Sequence, residues 1–274
     1  MDVVLSAIIL ILIIIVLLLA CLFVFCTKPN TFRFFDMPAA YCHRGYHNGD
    51  SIPENSIPAF KKSAELGLGV ELDVRYTADK KVVVFHDADL KRICGEDKKV
   101  SELTFDELSQ YRLSSTDEHI PLFEDVLKVC GDIPICCEIK SEDYAPNEDF
   151  LKDVYAMISS YPGQIVVESF NPYVLSWFRN NHPEIIRGQL SFGYKGQKNK
   201  TFEMFLLCNL LVNVISRPDF ISYKFDEASI GLAMNRIYGT RLVAWTIRSM
   251  DEVDFAAQNG YSTFISENFD ITEI

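Results

Sequence analysis

The sequence predicts an α/β fold: a (β/α)8 barrel, or TIM barrel, preceded by a single N-terminal transmembrane helix. Three observations predict it. Residues 3–26 carry no charge and are nearly all Ile, Leu, Val, Ala and Phe. From Ala39 onward, apolar strand-like runs alternate with helical patterns, an order that implies a parallel sheet covered by helices. Eight such units fall within roughly 240 residues, the size of a closed barrel. An open doubly wound sheet is the alternative, but no Gly-rich phosphate fingerprint follows the first strand.

The apolar segment comes first. At 1.5 Å per residue it covers roughly 36 Å of helix, more than a ~30 Å hydrocarbon core. A secretory signal has a basic start, a shorter apolar region and a small-residue cleavage site. Here Asp2 precedes the run and no such site stands out. Residues 1–27 therefore read as an uncleaved anchor touching the membrane through residues 3–26, residues 28–38 as a juxtamembrane linker, and residues 39–274 as the barrel. Lys28 and Arg33 on the far flank, against Asp2 on the near one, favour the cytoplasmic side for the barrel.

The strands are expected at 39–43, 70–75, 133–140, 164–169, 186–192, 220–223, 242–247 and 262–266. Helices are expected at 55–66, 123–129, 147–160, 172–180, 201–214, 228–238 and 250–259. One excursion breaks the alternation. The turn residues 77–81 lead into 82–86, a hairpin folding back over the second strand and ending in His86-Asp87; a loop and a short helix at 105–111 follow.

The net charge of −12 argues against a nucleic-acid binder, which needs a basic face. Phosphate chemistry in such a chain must use a local positive cluster or a metal. Of the eight cysteines, Cys21 and Cys26 lie in the anchor; the others form no CxxC or zinc spacing and read as buried, reduced thiols. Cys136 and Cys137 are adjacent in one strand and point to opposite faces. Asn199-Lys200-Thr201 is a glycosylation triplet, relevant only in a secreted chain. No oligomer is specified by the pattern.

Reactive groups in a barrel collect at the C-terminal strand ends. The first strand ends in His43-Arg44, an acid/base group beside a fixed cation whose donors match phosphate oxygens two at a time. Gly45 lets the backbone turn there. Glu71 and Asp73 are two apart, so they share a strand face, as do Glu138 and Lys140. Glu168 and Ser169 end a further strand. Carboxylates in such apolar runs are costly unless paired or bound to a cation. One reading pairs Glu71 and Asp73 with Arg75, Lys140 or Arg44 as buried salt bridges. The other places a divalent cation among Glu71, Asp73 and Glu138; all-oxygen ligation suits Mg²⁺ or Ca²⁺. The gathering of His43, Arg44, Glu71, Asp73, His86, Glu138 and Lys140 at strand ends favours the second. His47, His119 and His182 sit in loop-like surroundings and read as solvated.

Several motifs appear together: His43-Arg44-Gly45, Pro53-Glu54-Asn55-Ser56, Ala59-Phe60, Glu71-Leu72-Asp73, Phe85-His86-Asp87, Glu138-Ile139-Lys140, Glu168-Ser169-Phe170 and Trp245-Thr246. In these residues the chain resembles the glycerophosphodiester phosphodiesterases, relatives of the phosphatidylinositol-specific phospholipases C, over 39–267. The combination is specific; HRG alone would not be. The resemblance implies that Glu71, Asp73 and Glu138 hold the metal, that Arg44 and Lys140 balance the phosphoryl oxygens, and that His43 and His86 are the acid/base pair, with His43 preferred as base and His86 as acid. Glu54 would cap the following helix or support Arg44, and Trp245 would line the substrate mouth or lie in the core. Two departures fall in the substrate-facing half. Arg248 stands where the family usually has Asn, and the last strand ends Ser262-Thr263-Phe264-Ile265-Ser266-Glu267 rather than in the usual Asp-Gly pattern. The implied function is metal-dependent hydrolysis of a glycerophosphodiester to an alcohol and glycerol 3-phosphate. Phospholipase D-like cleavage of a lysophospholipid is one alternative; a non-catalytic barrel that binds phospholipid or protein is another.

Overall fold

The computed structural model describes residues 3–30, 35–49, 51–141, 143–198, 200–269, 272 and 274. Asp2 and Arg33, invoked above for orientation, and Asn199, for glycosylation, lie outside them. In chain order the elements are α1 (Val3–Thr27), β1 (Ala40–Cys42), α2 (Ile57–Leu66), β2 (Gly69–Tyr76), β3 (Val82–Val84), α3 (Lys91–Cys94), α4 (Phe105–Leu108), α5 (Phe123–Cys130), β4 (Ile135–Ile139), α6 (Glu148–Ile158), β5 (Ile165–Ser169), α7 (Pro172–Asn181), β6 (Ile186–Ser191), α8 (Phe202–Cys208), α9 (Asn213–Ser216), β7 (Phe220–Lys224), α10 (Ile230–Ile237), β8 (Arg241–Ile247), α11 (Met250–Gln258) and β9 (Thr263–Ser266).

Eight parallel strands, among the described residues, run β1-β2-β4-β5-β6-β7-β8-β9 and close where β1 pairs with both β9 and β2. The expected barrel is present. β3 lies antiparallel on β2 as the expected hairpin.

The two-residue period of the strands separates outside from inside. Val70, Leu72, Val74, Cys137, Ile139 and Val167 face outward and pack with Phe60, Phe123, Phe150 and Phe178 from the helices. Burying each such side chain stabilises the fold by about 1.5–3 kcal/mol. Tyr41, Cys136, Val166, Phe220, Val243 and Ile265 form the inner core, so Cys136 and Cys137 do face opposite ways. Gly188 matters here, because a Cβ on it would lie 2.1 Å from the Phe220 ring. Met37 joins this inner cluster, and Phe35 packs on Phe220 with ring centroids 6.2 Å apart. The N-terminal end of the barrel is thereby filled, which leaves the C-terminal end for polar side chains.

The expected single helix at 201–214 is broken. α8 stops at Cys208, Leu210 takes φ +56°, and the short α9 follows. The cause is packing: a Cβ on Gly231 of α10 would lie 1.8 Å from the Asn209 carbonyl oxygen, so the two segments already touch backbone to side. The break aims Asn213 and Arg217 at α1. Asn213 and Asn235 donate side-chain N–H groups to the Thr27 carbonyl at 2.8 and 3.2 Å. Arg217 donates to the carbonyls of Phe25 and Lys28 at 3.1 and 2.8 Å, and the Tyr238 hydroxyl to that of Val24 at 3.1 Å. These donors satisfy carbonyls that the end of a helix leaves without partners. The rest of α1 is an exposed apolar helix, long enough to cross a bilayer. Its junction lies beside the starts of β7 and β8, at the filled end of the barrel.

Candidate active site

β1 ends at Cys42 and hands over directly to His43 and Arg44. Arg44 at φ +55° and Gly45 at φ +79° turn the chain toward α2. Gly45 is required twice over: the positive φ favours glycine, and a Cβ would sit 2.9 Å from the Ala59 Cβ. α2 is capped by Ser56, whose hydroxyl accepts from the Ala59 N–H at 3.3 Å. The cap expected of Glu54 is therefore supplied by Ser56, the better capping residue. Glu54 instead accepts from Arg44 at 2.6 Å and from Arg92 at 2.7 and 2.8 Å. Arg92 also donates to Asp87 at 2.7 Å, and Asp87 accepts from Nδ1 of His86 at 2.6 Å. A continuous ionic chain thus runs from Arg44 to His86. Arg92, in a short helix after the hairpin, carried no sequence signal.

Glu71, Asp73 and Glu138 project from the inward face of β2 and β4, where Asp73 pairs in register with Glu138. One oxygen from each lies within 4.8 Å of the others. Lys140 reaches both Asp73 and Glu138, at 2.9 and 2.7 Å. Arg44 approaches Asp73 at 3.5 Å with Nε, and its backbone N–H donates to Glu71 at 3.1 Å. Asn55 donates to Asp73 at 2.8 Å. Both sequence readings are therefore partly realised, since Asp73 has its salt bridges and the three carboxylates still converge. Arg75 does neither and donates to the His86 carbonyl at 2.6 and 2.9 Å.

The charges do not balance. Burial, reinforced by Asp73, Glu138 and Glu168, pushes the Glu71 carboxyl well above its ordinary range. Burial and Asp73 also raise Glu138, against the pull of Lys140. Burial opposes ionisation of Asp73 too, yet Lys140, His86, Arg44 and the Asn55 amide hold it well below the ordinary value. Deeper in the barrel, burial and Glu138 push Glu168 up to about 8. One anion is stable with the cations present, and the others ask for more positive charge. A hard divalent ion fits such an all-carboxylate donor set. The trio consists of the three residues the sequence nominated.

Both nominated histidines are fixed by a carboxylate on Nδ1, which leaves Nε2 as the working nitrogen. His43 donates to Glu267 at 2.5 Å, and its Nε2 lies 3.9 Å from Glu71. Burial lowers the His43 pKa and takes that of His86 down to about 4, so both imidazoles are neutral without a further anion. Burial would raise Glu267, but His43 and Arg248 bring it to about 2. Arg248 pairs with its other oxygen at 2.5 Å. The two departures from the family pattern thus meet each other, and Glu267 links them to His43.

The three histidines expected to be solvated are each partly buried, with the His182 side chain 24 % exposed. His47 is 9 % exposed at its side chain, because Tyr46 donates its N–H to Ala59 and Ser63, folding the loop inward. His119 is held by the Tyr111 carbonyl at 2.8 Å, and His182 stacks on Tyr155. Trp245 stands apart from the ionic net. It packs edge-on against Phe170 at 5.9 Å, and Phe170 meets Phe192 at 5.7 Å, forming an aromatic wall at the same end of the barrel. Beside Lys140 lies a cavity of about 490 Å³ lined by Arg75, Lys80, Lys99 and Asn147 among others.

A parallel barrel carrying clustered carboxylates, buried Arg and Lys and two carboxylate-held histidines at its open end defines a phosphoric diester hydrolase. The chain belongs to the glycerophosphoryl diester phosphodiesterase family, whose sequence profile matches residues 43–271. It is 24 % identical over 269 residues to glycerophosphodiester phosphodiesterase 1 of Bos taurus, an alignment spanning 85 % of this chain and 78 % of the relative. A lysophospholipase D of Rattus norvegicus is 33 % identical over 132 residues, 43 % of this chain and 40 % of that protein. In fold it resembles a phosphodiesterase from Oleispira antarctica, solved with the product sn-glycerol-3-phosphate, at a TM-score of 0.66 and 20 % identity over 84 % of this chain and 93 % of the other.

Proposed function

We propose that this chain hydrolyses glycerophosphodiesters to an alcohol and glycerol 3-phosphate, using Mg²⁺ or Ca²⁺ and the His43–His86 pair, from a barrel anchored in a membrane by α1. The observation that carries the reading is the convergence of Glu71, Asp73 and Glu138 within 4.8 Å of one another, with Lys140 and Arg44 against them. The three carboxylates would hold the ion, which when bound supplies positive charge against the phosphoryl oxygens. Arg44 and Lys140 add fixed positive charge, which addresses the main barrier to attack on an anionic ester. Nε2 of His43 takes the proton of the attacking water, or of the glycerol 2-hydroxyl, whose attack would give a cyclic phosphate that a water molecule then opens. The bond from phosphorus to the departing alcohol breaks, and His86, which must be protonated at Nε2 once the anionic diester lies beside it, gives that proton to the departing oxygen. The sn-glycerol-3-phosphate found with the Oleispira antarctica enzyme is the product this scheme leaves behind.

In this reading residues 1–27 form the anchor, 28–38 the joint and 39–274 the catalytic barrel, and Lys28 favours the cytoplasmic side for that barrel. The cavity beside Lys140, where Arg75, Lys80 and Lys99 stand among the lining residues, offers positive charge to a small anionic diester. A lysophospholipid is the second reading, favoured by the aromatic wall of Phe170, Phe192 and Trp245 and by the likeness to the rat lysophospholipase D. The test uses the full chain in detergent with glycerophosphocholine and lysophosphatidylcholine, each with Mg²⁺, Ca²⁺, Mn²⁺ or a chelator. Release of glycerol 3-phosphate that needs the metal and disappears in His43→Ala is expected. No turnover of either compound with any metal would leave a binding module instead.

A further inference from the structure

A second group of ligand atoms lies next to the carboxylate trio and is chemically unlike it. One ligand atom from each of His43, His47 and Glu267 lies within 4.8 Å of the others. Glu267 is 2.5 Å from His43 and 3.9 Å from His47. His47 is more than nine-tenths buried at its side chain, and both its ring nitrogens lack a hydrogen-bond partner among the described residues. A buried imidazole with two unmet nitrogens is costly. Aimed at a carboxylate that already holds a second imidazole, it points to a ligand. A cavity of about 390 Å³, lined by Tyr46, His47, Asn48 and Asn268 among others, gives access from solvent.

We propose that His43, His47 and Glu267 form a binding site for Zn²⁺ or a similar late transition metal, and that filling it switches the enzyme off. Two imidazoles and one carboxylate are a borderline-soft donor set that favours zinc, whereas the neighbouring trio offers only hard oxygens. Metal–ligand bonds of about 2.0–2.2 Å place tetrahedral ligand atoms roughly 3.3 Å apart, so small side-chain shifts suffice. Coordination replaces the hydrogen bond from Nδ1 of His43 to Glu267, and the imidazole loses the tautomer and orientation it needs. The inhibitory half rests on His43 acting in the reaction; the binding half does not.

The test keeps Mg²⁺ at millimolar level, so that the carboxylate trio is occupied, and titrates Zn²⁺ with the full chain. Zinc affinity is read by competition with a chelating dye and activity by product release. Wild type is expected to bind zinc and lose activity in parallel. His47→Phe is expected to keep its basal activity and to need about tenfold more zinc, or higher, for both effects. His47→Asn serves the same purpose if the Phe variant melts early. Equal zinc binding in wild type and both variants would overturn the site. Binding that depends on His47 without loss of turnover would uphold the site and remove His43 from the chemistry.

Discussion

The Glu267 carboxylate accepts the Nδ1 proton of His43 at 2.5 Å while Arg248 holds its other oxygen. Ionised Glu267 fixes the tautomer in which Nε2 of His43 carries a lone pair. Glu267→Gln would present an amide to the same nitrogen and stabilise the wrong tautomer. In the serine hydrolase triad the equivalent change costs about 10⁴ in kcat. We expect a loss of kcat of roughly 10²–10⁴ with a small change in KM, read by steady-state kinetics.

Lys140 is the cation shared by two buried carboxylates; removing it strips Glu138 of its cation and leaves Asp73 with only Arg44 and the Asn55 amide beside it. Lys140→Met should destabilise the metal-free protein by about 3–5 kcal/mol, seen as an earlier denaturant midpoint. Added Mg²⁺ should recover more stability in this variant than in wild type, because the ion replaces the missing charge.

Stability should depend on pH with a sign set by the buried acids. The folded chain holds the Glu168 proton until about pH 8, whereas a free Glu releases it near 4.5. Between those values the folded state binds more protons, so stability falls as pH rises. Glu71 and Glu138 act in the same direction. His86, at about 4 instead of 6.5, acts oppositely below pH 6.5. In chelator, the melting temperature should therefore drop from pH 6.5 to 8, and Glu168→Gln should flatten that slope.

Gly45→Ala introduces a left-handed alanine and a Cβ 2.9 Å from Ala59. A loss of about 1–3 kcal/mol is expected, with a larger fall in activity, because His43 and Arg44 precede the strained position. Thermal melting and turnover on the same sample separate the two effects.

Period-two carboxylates in apolar strands made Glu71, Asp73 and Glu138 legible, because few arrangements tolerate an acid there. The strand and helix order was legible for the same kind of reason, since burial imposes a period. The rest depended on contacts that local pattern does not encode. Glu267 meets His43 across 224 positions of sequence. His47 lies in a polar loop whose burial is set by Tyr46 bonding back to α2. Residues 201–214 contain no Gly or Pro, and the break after Cys208 falls where Gly231 packs against Asn209.

The bonds that Asn213, Asn235 and Arg217 make to the last turn of α1 turn a tether into a stalk. Were α1 seated in lipid, as proposed, the end of the barrel that meets α1 would face the bilayer and the reactive end would lie on the far side. A diester that has already shed its acyl chains can arrive there by diffusion. One still seated in the same leaflet would have to leave it and climb the height of the barrel.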